Sequence, residues 1–208
     1  MRGPDLLRRE ALRLYERYQT EVIERYSICP WAKNARLDGR TRVHVVTDSE
    51  CELASLVPLL ARWSAEPSID VAFVIAPRFE GGLEAFSEWS SVVGRATHGV
   101  FVAASFHPDA SQAPGLVHFL RQTPDPTVQL VRRAMLERIR SHDPPHYTDI
   151  FELDLHALQA NKPIRTVAAS VLAHNAQLIE REGRATLQQI IDDIRQDRER
   201  TYAKLIPR

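Results

Sequence analysis

Two blocks, Ser105-Phe106-His107-Pro108-Asp109 and Arg121-Gln122-Thr123-Pro124-Asp125-Pro126-Thr127, gather an imidazole, carboxylates and a guanidinium around one proline-stiffened stretch that follows an apolar run. An imidazole titrates near neutral pH, which suits general acid–base work, and Asp109 can orient or charge His107. Arg121 and Arg132 carry planar forks that fit a carboxylate or phosphate. Thr127 reads as the cap of a helix whose first free N–H groups would receive the same anion. Each has a plainer reading. His107 can hold a turn through loop carbonyls, Arg121 can pair with Asp125, and Arg132 or Arg133 can pair with Glu137 on a solvated face.

Cys29 lies between the end of a long helical pattern and Pro30, which suits the first turn of a short helix over Trp31 to Arg36. A thiol there meets unpaired N–H groups and the positive end of a helix dipole, which favours thiolate and so nucleophilic, redox or metal chemistry. Ala32 occupies the position where a dithiol motif needs its second sulfur, which disfavours disulfide exchange. The alternative is a small buried residue packed on Trp31. Cys51 follows Asp48, Ser49 and Glu50, whose charge opposes thiolate, and reads as structural. His142, His146, Glu152 and His156 complete no metal-ligand spacing, so no metal site is assigned. Gly81-Gly82 reads as a turn, since it lacks the remainder of a phosphate loop.

These groups need elements to hold them. Leu7, Ala11, Leu14, Tyr18 and Val22 recur at helical spacing, which predicts a helix over residues 5 to 26. Arg42 to Thr47, Val71 to Ala76 and Gly99 to Phe106 read as strands, separated by helical stretches over 49 to 64 and 82 to 94. Such alternation predicts an α/β fold, with a small, partly parallel sheet of three or four strands covered by helices. After a long loop over His107 to Thr127, a helix carrying Val128, Val131, Met135 and Ile139 is expected to stop before Pro144-Pro145. From Tyr147 the chain reads as helix with breaks at Asn161-Lys162-Pro163 and at Gly183, and closes on the mixed-charge run Asp192 to Arg200. The expected organisation is an α/β core over 1 to 160 and a helical C-terminal extension over 161 to 208, packed on the core.

Composition narrows the function classes. The 208 residues are 44% hydrophobic and 26% charged, enough for one sizeable core. Lys and Arg together number 27 and so do Asp and Glu, so no global field draws the chain to nucleic acid or anionic lipid. Two cysteines are too few for a disulfide framework, Met1 to Glu10 lacks the apolar run of a secretory signal, and no segment approaches the roughly 20 apolar residues of a membrane span. A cytoplasmic location without nucleic-acid or membrane partners is therefore expected.

Ile28-Cys29-Pro30-Trp31-Ala32-Lys33, Ala104-Ser105-Phe106-His107-Pro108-Asp109 and Arg121-Gln122-Thr123-Pro124-Asp125-Pro126-Thr127 together resemble, in order, the blocks of a bacterial family, domain of unknown function 1415. Trp31 stands for a phenylalanine and Thr123 for a serine of that pattern, and Arg132 falls where the family carries a helical arginine. The matched blocks end by about residue 160, leaving 161 to 208 as an extension. The resemblance names no substrate or cofactor. It implies one shared site uniting Cys29, His107 and Arg121.

Two functions follow as expectations. In the first, an enzyme acts on a small anionic metabolite, with Cys29 as nucleophile or redox thiol, His107 and Asp109 as acid–base groups, and Lys33, Arg121, Thr127 and Arg132 binding substrate. In the second, a non-catalytic module senses an anion, or haem ligated at Cys29, or assembles with a partner through its C-terminal helices.

Overall fold

The computed structural model describes residues 3–29, 32–112, 119–142 and 167–205. Helix α1 (Gly3–Tyr18) buries Leu7, Ala11, Leu14, Tyr15 and Tyr18 on one stripe, with Asp5 in its first turn and Arg17 in its last, both matching the helix dipole. It runs into a π-helical stretch, Gln19–Glu24, closed by wide bonds such as Arg25 N–H to the Thr20 carbonyl at 3.1 Å. The wider turn buries the neighbours Val22 and Ile23 together. The predicted helix over 5 to 26 is thus present as two successive helical forms. A short helix α2 (Ala32–Leu37) follows, its first N–H bonded to the Cys29 carbonyl at 3.2 Å.

Strand β1 (Thr41–Val45), helix α3 (Leu53–Ala65), strand β2 (Val71–Ile75), helix α4 (Leu83–Arg95) and strand β3 (Phe101–Phe106) follow the expected alternation. The next element does not. Thr127–Arg132 is a strand, β4, and helix α5 begins only at Arg133 and runs to His142. Val128, Val131 and Met135 satisfy a helical period, but Thr127, Gln129 and Val131 alternate equally well against Val128, Leu130 and Arg132. Tertiary pairing decides between the two: β4 fills the gap between β2 and β3 and pairs antiparallel with both. The sheet order is β1-β2-β4-β3, with β1 and β2 parallel, so the fold is α/β with a mixed sheet.

One face of this sheet packs on α3 and α4. Ala72, Val74, Val128, Leu130 and Phe101 meet Leu56, Leu60, Trp63, Phe86 and Val93 in an apolar core. The approach of α4 to β3 is close enough that a side chain at Gly94 would meet the Ala103 Cβ at 2.7 Å, which requires glycine there. The other face looks towards α1. Beyond α1 lie helices α6 (Val167–Glu182) and α7 (Arg184–Tyr202), the helical C-terminal extension, whose Leu178, Leu187, Ile191, Ile194 and Tyr202 share a core with Leu7, Leu14, Tyr18 and Val22. Arg13 and Arg17 clasp Asp197 across this contact at 2.8 and 2.7 Å. The expected stop at Pro144-Pro145, the turn ending at His146, Glu152, His156, the break at 161–163 and the boundary at residue 160 lie outside the described residues.

Candidate functional site

A cavity of about 390 Å³ lies between α1 and the sheet face opposite α3 and α4. Its floor is built from successive rungs of the sheet: Thr41, Val71 and Val131 in one, Val43, Phe73 and Gln129 in the next, and Thr127 and Phe106 in a third. Strand alternation aims every second side chain at this face, so β4 turns Thr127, Gln129 and Val131 to the cavity and Val128, Leu130 and Arg132 away from it. The roof comes from Tyr15, Tyr18, Gln19 and Ile23 of the first helical segment, and Cys29 and Ala32 close one side. Leu12, Glu16 and Val43 line it where they are also exposed.

Arg121 enters this mostly apolar space. Its guanidinium carbon lies 5.6 Å from the Phe106 ring centroid, and burial draws its pKa below the usual arginine range, opposed by the nearby Tyr18 phenol. The segment carrying it is pinned. Tyr18 donates its hydroxyl proton to the Leu120 carbonyl at 2.8 Å, and the hydroxyls of Thr123 and Thr127 both donate to the Asp125 carbonyl, at 2.7 and 2.8 Å. The Asp125 carboxylate, 1% exposed, accepts from Arg198 Nε at 2.6 Å and from the Tyr202 hydroxyl at 2.7 Å. The predicted pairing of Arg121 with Asp125 is therefore replaced by an anchor for α7, and burial raises the Asp125 pKa against the pull of Arg198.

The structure brings Cys29, Arg121 and Thr127 to the lining of one cavity, and leaves the other predicted site residues elsewhere. His107 is on the opposite face, its ring 5.7 Å from Phe86. There its Nδ1 accepts the Asp109 N–H at 3.1 Å, the Asp109 carboxylate stands 3.7 Å away, and burial lowers its pKa despite that charge and a backbone hydrogen bond at Gly81. This geometry is that of a neutral imidazole holding the turn over Pro108–Gln112. Arg132 is buried on the α3 face, donating to the carbonyls of Trp63 at 2.9 Å, Glu66 at 2.6 Å and Ile69, and lying 4.6 Å over the Phe101 ring. Its guanidinium closes the end of α3, because β4 replaces the helix that would have turned it towards Arg121. Arg133 donates to the Gly99 carbonyl. Lys33 is exposed on α2 and does not line the cavity.

Cys29 and Cys51 form no disulfide. Cys51 is buried beside Asp48, and burial, followed by that charge, pushes its thiol up to about 11. Trp31, the proposed packing partner of Cys29, lies outside the described residues. Three amides of the cavity, Gln19, Gln129 and Asn175, escape sequence reasoning. Gln129 lies between Thr127 and Val131 on the cavity-facing side of β4, a placement visible only once residues 127–132 are read as a strand. Asn175, from α6, stands one turn before Leu178, at an apolar position of a buried helical stripe. Among the described residues, no group of His, Cys, Asp and Glu could hold a metal ion, and no helix is long and apolar enough to cross a membrane.

No curated protein and no solved structure matches the chain. A family model with the description "Protein of unknown function (DUF1415)" matches residues 11–168. That span carries the whole sheet, Cys29 and Arg121, and ends before Asn175 and α7, so this chain belongs to the DUF1415 family.

Proposed function

We propose that the protein binds a small amphipathic anion in the cavity beneath α1, with Arg121 holding the anionic group and the apolar walls covering the remainder. The observation that carries this reading is a guanidinium inside a mostly apolar cavity of ligand-site size. An anion delivered to this cavity can add a charge-assisted hydrogen bond to the guanidinium, and such a bond strengthens as water is excluded. Val43, Val71, Phe73 and Val131 suit an alkyl or aryl body.

The probe is anilinonaphthalene sulfonate, an amphipathic anion whose fluorescence rises in apolar surroundings. Wild type binds it saturably, and Arg121→Met weakens binding about tenfold or more, the scale of a lost hydrogen bond to a charged group at roughly 1.5–3 kcal/mol. Equal affinity in a variant of unchanged thermal midpoint refutes the reading.

A second reading is favoured by the Cys29 residue in the lining of the same cavity: thiol chemistry on the bound anion. It would proceed without the His107 imidazole, which faces Phe86.

A further inference from the structure

Buried amides and hydroxyls in this fold are generally satisfied from within. Gln122, fully enclosed, donates its amide to the Phe119 carbonyl at 2.9 Å, and Thr123 and Thr127 share the Asp125 carbonyl. Asn175 departs from the pattern. It is 5% exposed, it lines the cavity, and among the described residues its Oδ1 has no hydrogen-bond partner. The other such atom is the hydroxyl of Ser64, a freely turning group near the end of α3 that does not line the cavity. A carboxamide oxygen held out of water without a donor is a standing cost to the folded protein, and one that a ligand supplying the donor removes. Gln129 presents an amide from the sheet floor of the same cavity and Gln19 one from its roof, where the Gln19 oxygen accepts from the Tyr15 hydroxyl at 3.2 Å.

We infer that the ligand carries a hydroxyl or N–H donor besides its anionic group, and that Asn175 Oδ1 accepts from it, so the cavity selects a hydroxylated or amide-bearing amphipathic acid over the plain acid. This rests on the anion reading above and sharpens it to a substrate class. The logic is that of a site built to hydrogen-bond a polar group: it rejects an analogue lacking the group, because the site's own polar atom is then left buried and unmet. Asn175 lies on α6, past the residues that the family model matches, so this selection belongs to the helical extension.

The test compares decanoate with its α-, β- and ω-hydroxy derivatives and with N-octanoylglycine, titrated into the full-length protein by calorimetry. The expected result is that wild type binds at least one donor-bearing acid about tenfold more tightly than decanoate, and that Asn175→Leu erases the preference while keeping decanoate affinity. Asn175→Leu should also raise the thermal midpoint of the ligand-free protein, an effect opposite to that of removing a structural hydrogen bond. Should that variant not fold, Asn175→Ala is measured in its place. The inference is overturned if decanoate binds as well as every donor-bearing acid, or if the preference survives in the Asn175 variants. Those outcomes leave the anion reading standing. That reading falls separately if decanoate does not bind, or binds Arg121→Met as it binds wild type.

Discussion

His107 and Arg121 are joined by their backbones, with the His107 N–H donating to the Arg121 carbonyl at 3.1 Å, yet their side chains part across the sheet. Phe106, one residue earlier, turns into the cavity under Arg121, and the strand's alternation sends His107 the other way, to Phe86. A site assembled from His107 and Arg121 as neighbours in space thus separates into a turn-holding imidazole and a cavity guanidinium. The two cysteines differ in the same concrete manner. Cys29 lines the cavity and is partly exposed, whereas Cys51 is enclosed with its thiol pushed up to about 11. Iodoacetamide at neutral pH is therefore expected to label Cys29 and spare Cys51 in native protein, read by peptide mass spectrometry, and saturating anilinonaphthalene sulfonate should slow the labelling. Labelling of Cys51 at a matching rate would contradict this. Residue types and spacing draw attention to Cys29, Arg121 and Thr127, three residues that line the cavity. Asn175 and Gln129 were not legible, because an uncharged amide within an apolar pattern carries no signal until the fold shows what it faces.

Among the elements, β4 governs most of what differs from expectation. Its residues fit two periods, and only the open place between β2 and β3 selects the extended one. The consequence for Arg132 is a structural role, bridging β4 to the end of α3 through the carbonyls of Trp63, Glu66 and Ile69. Arg132→Met strands those carbonyls, and the expected loss is about 2–3 kcal/mol in denaturant unfolding, with no change in probe affinity. Reduced affinity at full stability would return Arg132 to the binding site. The α7 helix depends on a different buried charge. Asp125→Asn leaves Arg198 and Tyr202 facing a neutral amide, and a destabilisation of about 3 kcal/mol is expected, since removing one partner strands the other. Hydrogen exchange should locate the loosening in Arg184–Tyr202, and unaltered protection there would contradict the anchor. Strands β1, β2 and β3 and the four helical segments before β4 were legible because each is a run of a single pattern, apolar or β-branched for the strands and helically spaced for the helices. The π-helical widening at Gln19–Glu24 was not, since a helix that admits one extra residue per turn keeps the same apolar spacing to either side.

At the scale of the whole molecule, the sheet packs on α3 and α4 through a large core on one face and on α1 through a small cluster beside the cavity on the other, while α1 shares a further core with α6 and α7. The helical extension was visible in the sequence as a long run of helical pattern beyond the family blocks. That it reaches back to Asp125 and into the cavity depends on contacts some 50 or more residues apart, which local periodicity does not encode. Stability should carry a pH signature. Burial lowers the pKa of both His107 and His44 below the ordinary 6.5. The unfolded chain then binds more protons below that value, so their contribution is complete above 6.5 and is lost as pH falls through the folded-state pKa values. Glu24 and Asp197, both lowered by arginine hydrogen bonds, add a second loss further into acid. The urea midpoint is expected to fall between about pH 7.5 and about pH 5.5, and a flat midpoint over that interval would contradict the buried neutral imidazoles.

The account turns on which side of the sheet receives a ligand. Amide and arginine side-chain chemical shifts recorded while decanoate is titrated into the protein answer this directly. The predicted result is saturable change at Tyr18, Phe106, Arg121, Thr127 and Gln129, including the Arg121 Nε–H, with Phe86 and His107 ring signals unmoved. Shifts centred on His107, Asp109 and Phe86, with Arg121 silent, would contradict it.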